Sequence, residues 1–313
     1  MSKKRLQNKI SESRYALPIA VVIAATIWYL GGVVENRLFL QLGLVACSTL
    51  LMVELNNGHA LIRIYSRMVS CVFLALTSAS TFLFPSLRTW IVALCFVSFF
   101  LIIFHAYQDK HSPGWHFYAF LCLGIASTIF AQTFFFVPIL WLLTATFLNS
   151  ASFRTFWASL FGLMLPYWFL LPISAYNGHL DSLRLHFEAL VHFQPLFMYD
   201  GLDEHRVITF LIVSIFALTG IIHFWRNSFM DKIRTRMFYE VLIVNTLVTM
   251  VFIMLQPQHI DTLLGILIVS SSAIIAHFIT LTHTRFTNLS FIFMLLLVIF
   301  LTVYNLWMPS LMF

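Results

Sequence analysis

Apolar residues in this chain come in long, unbroken runs. They show neither the alternation of a half-buried strand nor the one-sided stripe of a soluble helix. A helix needs about 20 mostly apolar residues to cross a hydrocarbon layer of about 30 Å. Eleven segments fit: 15–34, 38–54, 68–84, 89–106, 115–131, 133–149, 155–174, 207–224, 238–256, 260–281 and 287–308. The pattern predicts an all-α, polytopic transmembrane bundle of about 11 spans. Continuous runs exclude a membrane barrel, whose strands alternate over about ten residues. The stretch 115–149 decides the count. As one helix it would run about 52 Å at about 1.5 Å per residue, too long to span once even with tilt. Two short spans with a tight turn at Gln132 fit better, and ten or twelve spans are the alternatives.

Polar positions set the orientation. With the N-terminus in the cytoplasm, the inner side carries Lys3, Lys4, Arg5, Lys9, Arg14, Arg63, Arg67, Lys110, Arg154, Arg226, Lys232, Arg234, Arg236 and Arg285. Only Arg37, Arg88, Arg184 and Arg206 fall outside. Fourteen of the eighteen basic residues on one side is the positive-inside bias, and it puts the C-terminus, Trp307-Met308-Pro309, outside. The whole chain, 1–313, reads as a single membrane domain. Residues 1–14 are a basic cytoplasmic tail, and 175–206 are a long external loop. The first run reads as a retained span, because no small-x-small cleavage site precedes Glu35.

Composition narrows the class further. The chain is 60% hydrophobic and 10% charged, with 34 Phe and a mean hydropathy of +0.91. Soluble domains average about 45–50% apolar and about 25% charged. A soluble enzyme, a disordered chain and a secreted disulfide scaffold are excluded. Cys47, Cys71, Cys95 and Cys122 all fall within spans and read as small apolar residues. The net charge of +6 reflects topology and implies no nucleic-acid partner.

The external loop concentrates chemistry. It holds five of the twelve acids and four of the twelve histidines. Wound as a helix over about 180–193, Leu180, Leu183, Phe187, Leu190 and Val191 share one face, with Asp181, Arg184, Glu188 and His192 beside it. The helix is amphipathic and suited to an outer-leaflet surface. As a site, Arg184 would hold a phosphate, with Asp181 and His186 nearby, and Glu188 or His192 would act as general base. As plain surface, Asp181–Arg184 and Arg184–Glu188 are ordinary helix pairs. A second cluster, Asp200-Gly201-Leu202-Asp203-Glu204-His205-Arg206, could bind a divalent cation or sugar hydroxyls but lacks calcium-loop spacing.

On the inner side, Asn56-Asn57-Gly58 reads as a turn, followed by Arg63 and Arg67 at i, i+4 on one helix face. They suit a diphosphate or lipid headgroup, or simply anchor the positive side. Arg63 is also a candidate partner for Glu54. Glu35 occupies the first external turn beside Arg37. His277 reads as a hydrogen-bonded packing residue, Glu240 is a further intramembrane polar group, and the spacing of Trp225, Ser228 and Asp231 carries no signature. Ser86-Leu87-Arg88-Thr89-Trp90 echoes Ser152-Phe153-Arg154-Thr155-Phe156-Trp157, as an inverted repeat would. No motif points to a metal or a cofactor.

Asn57–Leu76 and Asn149–Leu170 resemble an uncharacterised family of multi-spanning inner-membrane proteins of Gram-negative bacteria. That resemblance implies an inner-membrane location and brings no activity. Architecturally the chain is similar to O-antigen ligases and polymerases, which handle polyprenyl-linked sugars at a long external loop. Three functions follow as expectations. The first is work on lipid-linked envelope glycans or lipids at the external face, with membrane lipids and a polyprenyl-phosphate-linked glycan as partners. The second is a transporter or flippase, which requires a polar cavity reaching one face, with Glu54, His277 and Asn245 as the best available groups. The third is a non-catalytic subunit packed against a membrane-protein partner.

Overall fold

The computed structural model describes residues 5–178, 180–191 and 202–307. These form thirteen α-helices and, among the described residues, no strand. In chain order they are α1 (Leu6–Ser11), α2 (Ala16–Leu30), α3 (Phe39–His59), α4 (Met68–Ala79), α5 (Leu87–Ile103), α6 (Pro113–Ile129), α7 (Phe136–Thr146), α8 (Phe153–Tyr176), α9 (Leu180–Val191), α10 (Glu204–Asn227), α11 (Ile233–Leu255), α12 (Ile260–Leu281) and α13 (Arg285–Leu306). Each of the eleven apolar segments read from the sequence coincides with one of α2–α8 or α10–α13. Seven helices, namely α3, α5, α8 and α10–α13, are long and apolar enough to cross a membrane. The protein is a multi-pass helical membrane bundle.

The stretch 115–149 is two helices. α6 ends where Phe130 turns extended (φ −135°, ψ 95°), and a short 3₁₀ turn over Ala131–Phe135 leads into α7. No glycine or proline marks this break. Tertiary burial of Ala131, Gln132 and Thr133 accompanies it.

α12 is the axis of the fold. Every residue from Ile260 to Thr280 except Asp261 is buried, which suits a helix that is apolar all round. α4, α5, α10 and α11 surround it. Its hydroxyls are satisfied within the bundle: Ser272 and Thr280 donate to the carbonyls of Ile268 and Ala276 at 2.5 and 2.7 Å, and Ser270 lies 2.9 Å from Thr246 of α11. α2, α3 and α13 lie outside α4, while α6 packs on α5 and carries α8 on its far side. The α6–α8 contact is backbone-close. A Cβ on Gly162 would lie 2.3 Å from the Phe117 carbonyl oxygen, and one on Gly124 would lie 2.7 Å from that of Leu163. Small residues let membrane helices approach this closely, and dispersion between the backbones then holds them. The outer face of α8, with Phe153, Phe161, Trp168 and Tyr176, is exposed.

The two echoing Ser-x-Arg-Thr stretches are helix starts. Ser86 accepts from the Thr89 amide at the head of α5, and Ser152 forms a full capping box with Thr155 at the head of α8. Thr284 and Thr287 repeat the device on α13. The echo is therefore explained by capping chemistry, which needs a hydroxyl three residues before a free amide.

The connections gather at two ends. At the α1 end, Ser66 Oγ donates to the Ser11 carbonyl (2.7 Å), Gln108 N donates to that of Leu148 (2.8 Å), Ser152 Oγ donates to that of Lys110 (2.9 Å), and Arg234 lies over Tyr107 and Phe238. At the α9 end, Thr81 Oγ1 donates to the Asn305 carbonyl (2.9 Å), Phe130 meets the His259 ring, and Arg206 pairs with Asp261. Residues 6–11 are a docked helix, not a loose tail. Gln7 is buried, and its Nε2 donates to the Ile279 carbonyl and Thr282 Oγ1 at 2.6 and 2.5 Å. Arg5 bonds the His283 carbonyl.

Candidate functional site

The residues singled out in the external loop separate into two sets, each with its own partners. On α9, Arg184 Nε lies 2.7 Å from Glu188 Oε1, both on the surface, and Asp181 is exposed. His186 Nε2 donates to the Ser127 carbonyl at 2.8 Å and ties α9 to α6. His192, Asp200 and Gly201 lie outside the described residues. At the head of α10, Arg206 forms a two-pronged pair with Asp261 (2.7 and 3.2 Å) and also meets Asp203 at 3.5 Å. His205 stacks on Tyr304 and donates to Asn305 Oδ1. These contacts lock α10, α12 and α13 together at one end. The Arg184–Glu188 pair is the surface kind, and such pairs contribute little. Arg184→Ala and Glu188→Ala are each expected to shift stability by no more than about 0.5 kcal/mol. A thermal melt in mild detergent checks this, and a large loss would mean that α9 is held by its charges.

The connection between α3 and α4 corrects the sequence reading. Asn56-Asn57-Gly58 is not a turn: α3 continues to His59, and the reversal falls at Ala60, in the left-handed region (φ 49°). Residues 60–67 are not helical, so Arg63 and Arg67 do not share a helix face. The buried Asn56 side chain organises this segment, donating to the Ser66 carbonyl and accepting from the Ile62 amide. Its two-sided bonding competes with a helical path, as Asn side chains do. Arg67 bonds Tyr65. Arg63 reaches the turn after α10, where its guanidinium donates to the Met230 carbonyl at 3.2 Å and lies 4.0 Å from Asp231. Its acidic partner is Asp231, whereas Glu54 is exposed on α3.

Asp231 opens onto the most developed polar site of the bundle. One 3₁₀ turn, Ser228–Met230, ends α10, and Asp231 follows in extended backbone just ahead of α11. Its amide donates to the Ser228 carbonyl, and its own carbonyl accepts from Arg236 Nε, each at 3.0 Å. The carboxylate turns inward. Oδ2 lies 2.9 Å from His277 Nε2 of α12, with side chains 3% and 1% exposed, while Arg63 stays 43% exposed. Because a carboxylate only accepts, His277 carries its hydrogen on Nε2 and keeps Nδ1 as an open lone pair. Nδ1 is buried and has no hydrogen-bond partner, as is Nδ1 of His223, whose ring lies 5.8 Å away. The buried ring of Tyr239 packs 4.8 Å from His277.

Arg63, Asp231, His223 and His277 line a cavity of about 470 Å³ at the α1 end, together with Arg226, Asn227, His283, Thr284 and Thr287. Asp231 is the one acid in this lining, against Arg63 and Arg226. The N-terminus of α13 also ends here, at Thr284, with the positive end of its dipole. α10 and α13 touch at the opposite end, through His205, Thr209, Tyr304 and Asn305. At the α1 end the cavity lies between them. On the segments that border this gap, Ile222, Phe229, Phe286 and Leu289 are exposed apolar side chains, whereas Trp225 hydrogen-bonds Glu240 of α11.

Family models, curated proteins and solved structures give no match to this chain. The site is therefore read from its own chemistry.

Arg63 and His277 carried a signal in the sequence, as a paired basic residue and as a histidine inside a span. Asp231, His223 and Arg226 did not. Asp231, in the turn after α10, and His277, in α12, are 46 positions apart, and no local spacing announces such a pair.

Proposed function

We propose that this is a bacterial inner-membrane protein of eleven spans, with its N-terminus in the cytoplasm, that binds a phosphorylated membrane lipid in the cavity at its cytoplasmic end. The observation that carries this reading is the cavity itself: two arginines and a helix N-terminus face one space that opens between two apolar helices. Guanidinium groups and helix N-termini bind phosphate oxygens. The exposed Ile222, Phe229 and Phe286 on the bordering segments suit an acyl or prenyl chain lying in the lipid beside its own headgroup. The lipid class in view is a polyprenyl phosphate or its glycan-linked form, handled as a carrier handles cargo. This places the work at the opposite face from the external loop, where Arg184 is already taken by Glu188.

Support for the span count and orientation comes from the two groups of connections. Those assigned to the cytoplasm by basic residues contact one another at the α1 end, and those assigned outside contact one another at the α9 end. In a cysteine-free background, Lys232→Cys in intact cells is expected to resist an impermeant maleimide, and Arg37→Cys is expected to react. The reverse pattern would invert the protein and place the cavity outside.

The binding test uses farnesyl phosphate, farnesol and inorganic phosphate with the detergent-purified protein. Farnesyl phosphate is expected to bind, with the other two at least about tenfold weaker, because each lacks one half of the recognition. Equal binding of farnesyl phosphate and farnesol would remove the phosphate site. Equal binding of inorganic phosphate would make the ligand a soluble anion.

A further inference from the structure

The Asp231 carboxylate is shared. Oδ2 meets His277 at 2.9 Å and Oδ1 meets Arg63 at 4.0 Å. One negative charge thus serves a fixed cation and a titratable ring, in the same cavity that holds Arg226. From this arrangement we infer that His277 takes up a proton as the cavity takes up a phosphate ester, which makes the site a proton-coupled anion site. The inference rests on the phosphate-site reading above.

The charge logic is direct. With His277 neutral, Asp231 offsets Arg63, and an arriving anion meets a carboxylate beside its arginine. With a proton on His277 Nδ1, the ring becomes the carboxylate's counter-ion at hydrogen-bond distance. Arg63, long and half exposed, is then free to turn to the phosphate. The proton comes from solvent and its acceptor is the open Nδ1, so no other reactant is needed. Linkage makes the effect reciprocal: protonation tightens anion binding, and anion binding promotes protonation by the same factor.

The surroundings of His277 narrow the assignment. From α10 come His223 and Arg226, and from the following turn comes Asp231. α11 brings Tyr239 and, bonded to the Asp231 carbonyl, Arg236; the α3–α4 connection brings Arg63, and the α12–α13 turn brings His283. α1 adds Arg5 beside it and Lys9 at the same end. α4 has no charged residue, and the one charged residue of α5, Arg88, lies at its far end. Among these groups, only His277 has a carboxylate on its ring nitrogen. It alone can exchange places with Arg63.

The experiment uses methyl farnesyl phosphate. A diester keeps a single charge, whereas a monoester titrates with a second pKa of about 6 and would confound the result. Affinity is measured between about pH 5.5 and about pH 8, the range in which histidine changes charge. Proton uptake on binding is measured in weak buffer with a pH dye. The wild-type protein is expected to bind roughly tenfold tighter at the acid end and to take up protons on binding. His277→Gln is expected to bind with neither the pH slope nor the uptake, while His111→Gln, an exposed histidine outside the cavity lining, keeps both. Binding of the diester without uptake and with a flat pH profile overturns the proton coupling and leaves the phosphate site standing. Uptake that survives in His277→Gln overturns the assignment to His277. If His277→Gln does not fold, uptake by the wild-type protein still decides. Failure of the diester to bind at any pH removes the phosphate site itself.

Discussion

Replacing Gly162 with leucine is expected to unseat α8 from the bundle. α8 is held chiefly by α6, and that contact depends on two glycines facing backbone across the interface. A Cβ at position 162 would fall 2.3 Å from the Phe117 carbonyl oxygen and 3.1 Å from the Leu121 amide. Both are main-chain atoms in the middle of α6, so no side-chain rotation relieves the clash. The helices must separate, and every contact along them weakens together. Pro166 makes the site less forgiving: it removes the helical bond to the Gly162 carbonyl, so α8 is already weakened in this turn. The expected cost is about 3 kcal/mol or more, the upper range for overpacking a close contact. Melting should fall on the order of 5–10 °C. Gly43→Leu is the control, because a Cβ there meets nothing within 4 Å. A melting point unchanged in Gly162→Leu would mean that α8 does not sit against α6 in this way.

Replacing Arg226 with glutamine is expected to remove most of the affinity for farnesyl phosphate and to leave the fold intact. Arg226 is exposed near the end of α10 and lines the cavity, so its loss buries no unpaired group. A charge-assisted hydrogen bond contributes about 1.5–3 kcal/mol, which corresponds to a loss of roughly 10- to 100-fold in affinity. Arg63→Gln should weaken binding less, because in the unliganded state Arg63 is already partly neutralised by Asp231. The double variant should bind farnesyl phosphate no better than farnesol. Titrations of the three proteins at one pH, alongside their melting curves, test this ordering. Unchanged affinity in Arg226→Gln would detach the cavity from the ligand.

Much of the fold was legible in the sequence because a lipid environment imposes a coarse and local rule. Each spanning segment must be a continuous apolar helix, and the eleven runs therefore coincide with helices even where α4 and α7 are short. The break at Gln132 was legible for the same reason: a single run was too long. The connection between α3 and α4 was misread because its conformation is set by Asn56 bonding Ile62 and Ser66, a tertiary effect that helical spacing does not reveal. The site was half legible. Charge density drew attention to the external loop, where Arg184, Glu188 and Arg206 meet partners that absorb their charge. The cavity has only three charged residues in its lining, contributed by three separate segments, and depends on which helices stand next to α12. His277 is buried, as His59 and His116 are, and what distinguishes it is the Asp231 carboxylate on its ring, a contact that only the packed bundle makes. α12 is no more apolar in sequence than its neighbours, yet among the seven long helices it alone is covered along its length.

The most direct test of the account is native mass spectrometry of the protein gently extracted from its own membrane, comparing three forms. The wild-type protein and an Arg184→Gln/Glu188→Gln variant are expected to retain the same phosphorylated lipid, and an Arg63→Gln/Arg226→Gln variant is expected to lose it. Retention of that lipid by the Arg63/Arg226 variant, with its loss from the Arg184/Glu188 variant, would contradict the account and return the site to the external loop.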